Sequence, residues 1–317
     1  MKSKFTSTVL AAVLLAATAF FLPGKVLVAA PGNRGQQTGD DTVIVVPGAT
    51  PHLVSRQFIF TEGPAVDKAG NIFFTDQPNN QIWEYSIDGN LSLYMDNTRR
   101  SNGMYFDAKG NLVSCADEHD ELVSISPSKK ITVLADNYNG HTLNGPNDVW
   151  VAPNGAIYIS DPYFQRDYWL RKKPDPALPG EKVYYLAPHA KQLVMADSSV
   201  KKPNGIVGTP DGKYLYVADM GDWKTYRYDI NADGSLTNKT LFANEASDGM
   251  TLDERGNVYF TNNGVQVYSP QGKKIKHIDI PEKWCGNICF GGKDRKLLFV
   301  TASEGIYTLP MLVKGVE

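Results

Sequence analysis

The sequence predicts an all-β protein folded as a six-bladed β-propeller. A short motif recurs six times, and each copy is a turn residue followed by a run of β-branched and aromatic residues. The turn residues lie 39 to 57 positions apart, a spacing that accommodates several strands per unit. Apolar and polar residues alternate within the runs, as in half-buried strands, whereas no helical period persists.

The six copies of the motif end in a small or acidic residue. In chain order they are KAGNIFFTD, AKGNLVSCAD, PNGAIYISD, PDGKYLYVAD, ERGNVYFTN and KDRKLLFVTAS. Their turn residues are Gly70, Gly110, Gly155, Gly212, Gly256 and Arg295. We expect each copy to form the inner hairpin of one blade. Residues 53–60 precede the first blade and are predicted to pair with the last sheet, which would close the ring.

The N-terminal residues predict export. Lys2 and Lys4 precede an apolar run from Thr8 to Leu22, which is shorter than the roughly 20 residues of a membrane-spanning helix. Residues 1–30 are therefore predicted to be a signal peptide, with an uncleaved anchor as the alternative. Residues 31–50 are predicted to be a flexible linker and residues 51–317 the propeller. The mature protein is expected in the periplasm or outside the cell, with no other membrane segment.

The composition argues against several functional classes. A net charge of −2 does not provide the basic surface of a nucleic-acid-binding protein. The three cysteines form no CxxC pair and the five histidines no HExxH motif, which argues against a disulfide scaffold and a zinc protease. Cys115, Cys285 and Cys289 are expected to be buried thiols with no catalytic role.

One polar position recurs at the same phase in all six units. Eight residues before each turn residue stands an oxygen-bearing side chain, and a glycine follows it in four units. These residues, called the ring below, are Glu62, Asn102, Asn147, Asn204, Asp248 and Asn287. Because the first strand of a blade lines the channel, a shared phase places them at one mouth of the channel. The alternative for any single position is a turn or a strand cap.

The donor set of the ring predicts a metal site at this mouth of the channel. It contains two carboxylates and four amides, and neither thiolate nor imidazole. Such oxygen donors favour Ca²⁺, with Mg²⁺, Mn²⁺ or Zn²⁺ as alternatives. We therefore expect one bound divalent cation, whose charge the two carboxylates would balance.

Two further features are expected on the same face of the propeller. Strand-end carboxylates occur at Asp76, Asp117, Asp161 and Asp219, and their alternative interpretation is a structural role in turns. The longest spacing contains an insertion, residues 162–182, with the sequence PYFQRDYWLRKKPDPALPGEK. It is predicted to form a wall or lid over the ring, with a plain surface loop as the alternative. Tyr163, near its start, is predicted to contact the substrate.

Five segments carry a resemblance to a known family. They are FTEGPAVDKAGNIFFTD, LNGPNDVWVAPNGAIYISDPYF, KPNGIVGTPDGKYLYVADMG, SDGMTLDERGNVYFTN and CFGGKDRKLLFVTA. Over roughly residues 55–310 the chain resembles the gluconolactonase, senescence-marker-protein (regucalcin) and luciferin-regenerating-enzyme family, and within it most closely the bacterial gluconolactonases. The resemblance implies a six-bladed propeller with one divalent metal, usually calcium, in the channel mouth.

Matching the family's motifs residue by residue implies a ligand set. The Glu of EGP, the Asn of PND, the Asn of PNG and the Asp of DGM correspond to Glu62, Asn147, Asn204 and Asp248. Asn102, in SNG, would lie beside the metal and face the substrate, which Asn147 is also predicted to contact. Asp248 is the predicted catalytic base. His119 and His141 are the alternatives, although neither occurs at the ring phase.

The resemblance implies a metal-dependent hydrolase, and residues 1–30 predict that it is exported. It would open sugar 1,5- or 1,4-lactones to aldonic acids, with the metal polarising the ester. The alternatives are a non-enzymatic, metal-binding propeller scaffold and an esterase or phosphotriesterase acting at the same site. The expected partner is the small-molecule lactone, and the oligomeric state stays open.

Overall fold

The computed structural model describes residues 42–178 and 180–317, and within them six four-stranded antiparallel sheets follow one another along the chain. The inner strands of successive sheets contact one another, and the inner strand of the last sheet contacts that of the first. The prediction of a six-bladed β-propeller is confirmed. The predicted signal peptide, residues 1–30, and residues 31–41 of the predicted linker lie outside the described residues.

In blades 1 to 5 the strands run from the channel outwards in chain order. Blade 1 contains β2 (Thr61–Val66), β3 (Ile72–Asp76), β4 (Gln81–Tyr85) and β5 (Leu91–Asp96). Blade 2 contains β6 (Ser101–Phe106), β7 (Leu112–Ala116), β8 (Glu121–Ile125) and β9 (Ile131–Ala135). Blade 3 contains β12 (Val149–Val151), β13 (Ile157–Asp161), β14 (Lys182–Leu186) and β15 (Val194–Asp197).

The second half of the ring repeats this order. Blade 4 contains β16 (Pro203–Gly208), β17 (Tyr214–Asp219), β18 (Lys224–Ile230) and β19 (Leu236–Ala243). Blade 5 contains β20 (Met250–Leu252), β21 (Val258–Asn262), β22 (Gly264–Tyr268) and β23 (Lys274–Ile278). A short hairpin of β10 (Asn137–Tyr138) and β11 (His141–Thr142) and one 3₁₀ turn, Gln77–Asn79, lie between strands.

Blade 6 joins the two ends of the described chain. It contains β24 (Cys285–Gly291), β25 (Leu297–Ala302) and β26 (Gly305–Pro310), and its outer strand is β1 (His52–Ser55). β1 pairs antiparallel with β26, His52 opposite Thr308. The prediction that residues just before blade 1 close the ring is therefore confirmed.

The prediction of a flexible linker over residues 31–50 is wrong for the part that the structure describes, residues 42–50. Ile44 is fully buried in the apolar cluster of blades 5 and 6, and Val45 bridges to Met311. The Gly- and Pro-containing composition around these residues suggested a flexible segment. The β-branched run TVIVV at residues 42–46 instead packs against the propeller, because the last blade offers it an apolar surface.

The turns and the core explain the motif repeat. The five glycine turn residues have φ between 69° and 105°, a region that glycine enters without steric cost. Arg295, at the sixth turn, adopts φ 60° despite its side chain. The apolar residues of the motif pack in clusters between neighbouring blades; Phe74 of blade 1, for example, meets Phe299 of blade 6 with ring centroids 5.6 Å apart.

Candidate active site

The ring residues lie where the inner strands begin, and all six are buried, with 2–9% of their surface exposed. In β2, β6, β16 and β24 the pairing with the second strand shifts register at or beside the ring residue. In blades 3 and 5 the ring residue stands just before the first strand. Such irregularities free a residue from the regular sheet and redirect its side chain, as is common beside active sites.

Glycines beside the ring allow the inner strands to approach closely. A Cβ on Gly103 would lie 2.6 Å from the carbonyl oxygen of Asn147, and the Gly103 N–H donates to that oxygen at 2.8 Å. A Cβ on Gly205 would lie 2.8 Å from the carbonyl oxygen of Asp248. These glycines therefore hold the ring residues of neighbouring blades together.

Two carboxylates of the ring are buried within electrostatic reach of each other. Burial raises the pKa of Glu62 well above its usual value. The negative charge of Asp248, and to a smaller extent that of Asp148, raises this pKa further. Burial also raises the pKa of Asp248 to about 6, against hydrogen bonds from Trp284 and Asn204 that lower it. Bringing such groups together costs free energy that a bound cation would offset.

Hydrogen bonds hold the carboxylate of Asp248 at both oxygens. Asn204 Nδ2 donates to Oδ1 at 2.7 Å, and the indole Nε1 of Trp284 donates to Oδ2. The amide oxygens of Asn204 and Asn102 are buried and have no hydrogen-bond partner among the described residues. Buried polar atoms without partners are uncommon and indicate a missing ligand or ion. Glu62, Asn204 and Asp248 therefore fit a divalent cation, with Asn102 available to a cation or a substrate.

The remaining ring residues, Asn147 and Asn287, are held by different hydrogen bonds. Asn147 is held by its backbone, which donates to the carbonyl oxygen of Ser160 at 2.9 Å. Asn287 accepts from the N–H of Ile288 at 2.8 Å and also bonds to Asp148. Both Asn287 and Asp148 line a cavity of about 250 Å³ in the channel. Asn287 therefore belongs to the channel interior.

Three residues near the ring were missed at the sequence level. Asp148 directly follows Asn147, at the position where four other blades have glycine, and this departure was the available signal. Its carboxylate accepts from the N–H groups of Val149 and Ile206 at 3.0 and 3.3 Å. Trp284 and Arg166 stand outside the repeated position, so no periodic signal marks them.

Three of the strand-end carboxylates perform one repeated structural task. Each accepts backbone N–H groups of the segment that enters its own blade: Asp76 from Ile59 and Phe60, Asp161 from Asn144 and Gly145, Asp219 from Lys201 and Lys202. The accepted N–H groups lie three and two positions before the ring residue in all three blades. The structural alternative is therefore correct for these carboxylates, which place the ring.

The insertion spans blades 2 and 4 beside the mouth. Trp169 is buried, packs against Gly145, and donates its Nε1 hydrogen to the carbonyl oxygen of Asp117 at 2.6 Å. On the other side, Lys202 Nζ donates to the carbonyl oxygen of Tyr163 at 3.1 Å. The Tyr163 hydroxyl donates to Gln165 at 2.6 Å. These contacts make the insertion an anchored wall, and a role of Tyr163 toward substrate stays a prediction.

Other predicted groups have no part in this cluster. The described part of the chain contains no group of three His, Cys, Asp or Glu residues that could hold a metal, so any cation here depends on the amides. His141 lies 3.4 Å from Asp175. Cys115, Cys285 and Cys289 are buried free thiols, as predicted. No helix within residues 42–178 or 180–317 has the length and apolar character that a membrane span requires.

Comparison with known proteins decides the family. A family model described as the SMP-30/Gluconolactonase/LRE-like region matches residues 60–304. The chain belongs to this family. The resemblance inferred from the five segments is confirmed, and with it the predicted class of lactonase-like hydrolases.

Individual relatives agree with this assignment. The chain is 26% identical over 284 residues to a gluconolactonase of Zymomonas mobilis subsp. mobilis, covering 80% of this chain and 79% of the relative. A solved gluconolactonase from Xanthomonas campestris is 27% identical with a TM-score of 0.76, covering 84% of this chain and 91% of that one. A calcium-binding regucalcin from Agrobacterium tumefaciens shares the fold at 18% identity and a TM-score of 0.69, covering 84% and 95% of the two chains.

Proposed function

We propose that this family member is an exported lactone hydrolase that depends on one divalent cation, Ca²⁺ by the chemistry of its donors, and opens sugar 1,5- or 1,4-lactones to aldonic acids. One observation carries the proposal. The buried carboxylates of Glu62 and Asp248 share the channel mouth with amide oxygens of Asn204 and Asn102 that have no described partner.

The donor set supports a hard cation held by Glu62, Asn147, Asn204 and Asp248. Two carboxylates would balance a divalent charge, and amide oxygens suit Ca²⁺ or Mg²⁺ better than softer metals. When bound, such an ion supplies Lewis acidity that polarises the lactone carbonyl. The calcium-binding regucalcin with the same fold agrees with this choice of ion.

Asp248 is the proposed acceptor of the proton of the attacking water. Its Oδ2 already receives the Trp284 indole hydrogen, and a carboxylate oxygen has a second lone pair for another donor. Water would form the new bond to the acyl carbon, the ring C–O bond would break, and the proton held by Asp248 would pass to the departing oxygen. Asn102 would orient the lactone by accepting a substrate hydroxyl hydrogen at its unpartnered amide oxygen.

The decisive experiment is hydrolysis of a panel of sugar lactones by the purified protein. We expect ring opening that EDTA abolishes and added Ca²⁺ restores, with Glu62→Gln inactive at the same metal concentration. Absence of hydrolysis in the wild type with Ca²⁺, Zn²⁺, Mg²⁺ and Mn²⁺ would refute the lactonase and favour the scaffold.

Export is tested separately. The charged start and short apolar run of residues 1–30 support a cleaved signal peptide. We expect protein purified from the periplasm or medium of a bacterial host to begin near residue 31 by N-terminal sequencing. Accumulation of the uncleaved chain in the cytoplasmic fraction would contradict export.

A further inference from the structure

The carboxylate of Asp117 binds side chains, whereas its counterparts in other blades bind backbone N–H groups. Asp76, Asp161 and Asp219 accept backbone N–H groups ahead of their ring residues. In blade 2 the N–H of Arg100 instead donates to Asn80 Oδ1 at 2.7 Å. Asp117, which is 1% exposed, is therefore free to bind side chains.

The partners of Asp117 come mainly from the insertion. Arg166 Nε donates to Oδ2 at 2.8 Å, Gln77 Nε2 donates to the same oxygen at 2.7 Å, and the Tyr168 hydroxyl donates to Oδ1. Three donors on one buried carboxylate fix both the insertion and the direction of the Arg166 guanidinium. The motif repeat thus supplies a carboxylate that positions an arginine.

Only one edge of the Arg166 guanidinium is used in this way. Neither of its terminal nitrogens has a hydrogen bond or an ion pair to any other residue in the described ranges, and 24% of the side chain is exposed. Its charge favours the ionised forms of both Glu62 and Asp248, so it lies within electrostatic reach of the proposed metal ligands. The free nitrogens are a pair of donors at the mouth.

The neighbouring cations are already engaged. Arg171 donates to Asp120 at 2.6 Å and to the carbonyl oxygen of Asn144. Lys202 donates to Tyr163 and lies 3.8 Å from Glu181. Arg100 donates to the carbonyl oxygen of Pro78 at 2.8 Å, and its guanidinium lies 4.0 Å from the Tyr168 ring centre.

We propose that Arg166 is a specificity-determining residue that binds a carboxylate on the substrate distant from the lactone carbonyl. A guanidinium with two free terminal nitrogens matches the two oxygens of a carboxylate. The preferred substrates are then lactones that carry a second acid group, such as the monolactone of an aldaric acid, over neutral aldonolactones. This inference rests on the proposed lactonase function.

Direct binding tests the inference without requiring turnover. Titration calorimetry with Ca²⁺ present would compare glucarate, which has two carboxylates, with gluconate, which has one. We expect the wild type to bind glucarate more tightly. Arg166→Gln should weaken glucarate binding by about 10- to 100-fold, the usual loss for a hydrogen-bonded charge pair, and gluconate binding by less than about threefold.

Two further variants separate charge recognition from loss of the wall. Arg166→Lys keeps the charge but loses the paired donors, so it should fall between the wild type and Arg166→Gln. Arg171→Gln breaks another anchor of the same insertion and should affect both ligands equally. Equal losses for both ligands in Arg166→Gln, or a wild type that does not prefer glucarate, would overturn the inference.

Kinetics distinguishes failure of this inference from failure of the proposed function. If glucaro-1,4-lactone is hydrolysed with a lower KM than glucono-1,5-lactone, and Arg166→Gln removes the difference, both stand. If the wild type hydrolyses neither lactone yet binds glucarate through Arg166, the lactonase proposal fails and the carboxylate site stands. If both lactones are hydrolysed with no dependence on Arg166, only the inference about Arg166 fails.

Discussion

At the scale of single residues, two side chains hold the carboxylate of Asp248 in place. Asn204 and Trp284 each donate to one of its oxygens, and both hydrogen bonds lower the pKa of this carboxyl, which burial raises. Trp284 is therefore a positioning residue for the proposed base, although it stands three places before the ring position of blade 6.

Replacement of Asp248 and of Trp284 should affect turnover to different extents. Asp248→Asn still offers an oxygen to a metal but cannot accept a proton, so kcat should fall by about 10²- to 10⁴-fold. Trp284→Phe removes only a donor, so we expect roughly a tenfold fall in kcat. Steady-state kinetics with saturating Ca²⁺ measures both changes.

The control for Trp284 is Trp83→Phe. Trp83 also donates an indole hydrogen bond, to Gln81 at 3.2 Å on β4, and its loss should leave kcat unchanged. An unchanged kcat in metal-saturated Asp248→Asn would show that Asp248 is not the base, and His119 and His141 would then be the candidates.

Glu62 should dominate the affinity for the cation. Ca²⁺ that binds only the folded protein raises Tm, and Glu62→Gln should abolish most of that rise because it removes one of two charges at the site. Differential scanning fluorimetry over a Ca²⁺ series measures it. Glu84→Gln, on β4, is the matched control and should respond like the wild type. Full metal occupancy by elemental analysis in a Glu62→Gln, Asp248→Asn double variant would be incompatible with the proposed site.

At the scale of elements, the insertion is held by packing as well as by hydrogen bonds. Trp169 is 6% exposed and Leu178 4% exposed, so part of the insertion belongs to the buried structure of blade 3. Shortening residues 162–182 would therefore remove buried side chains together with the wall. A point change at the contact is a better probe than a deletion.

Gly145→Ala should displace the insertion without breaking a blade. A Cβ at this position would lie 2.6 Å from Trp169 Cη2, and φ is 139°. We expect altered KM values across a lactone panel, together with a fall in stability of about 1–2 kcal/mol from the backbone strain. Gly155→Ala has a φ of 85° and open space around its Cβ. It should lose similar stability with unchanged KM, and an equal KM in both variants would mean that the insertion does not contact substrate.

At the scale of the whole molecule, closure of the ring depends on β1 pairing with β26. Deleting residues 42–55 would expose the edge of β26 and remove Ile44 from its apolar cluster. Because an exposed strand edge is a template for association, we expect a lower Tm and concentration-dependent oligomers by size-exclusion chromatography with light scattering. An unchanged Tm in a monomeric deletion variant would show that the other blades suffice for closure.

The far end of the channel should make stability depend on pH. Burial raises the pKa of Glu317 to about 7, where its carboxylate accepts from Thr251. The folded state favours the protonated acid. The contribution of Glu317 to the free energy of unfolding is therefore fully present below the usual pKa of about 4.3 and is lost as pH rises through 7. Glu317→Gln resembles the protonated form, and urea unfolding should find it similar to the wild type at pH 4 and more stable at pH 8. A constant difference across this range would contradict the assignment.

The sequence by itself determined the architecture and most of the candidate site. Its six motif copies specify hairpins because alternation, turn glycines and strand-end acids are local signals that survive without tertiary contacts. The ring at Glu62, Asn102, Asn147, Asn204, Asp248 and Asn287 followed from phase alone, since equal phase in equivalent blades means equal position around the channel.

Tertiary structure decided whatever depended on partners far apart in the chain. Trp284 reaches Asp248 across 36 residues, and Arg166 reaches Asp117 across 49. The same residue type at the end of a strand binds backbone in blade 3 but an arginine of the insertion in blade 2. Repetition specifies where a side chain stands, but its task is set by the groups that folding brings within hydrogen-bonding distance.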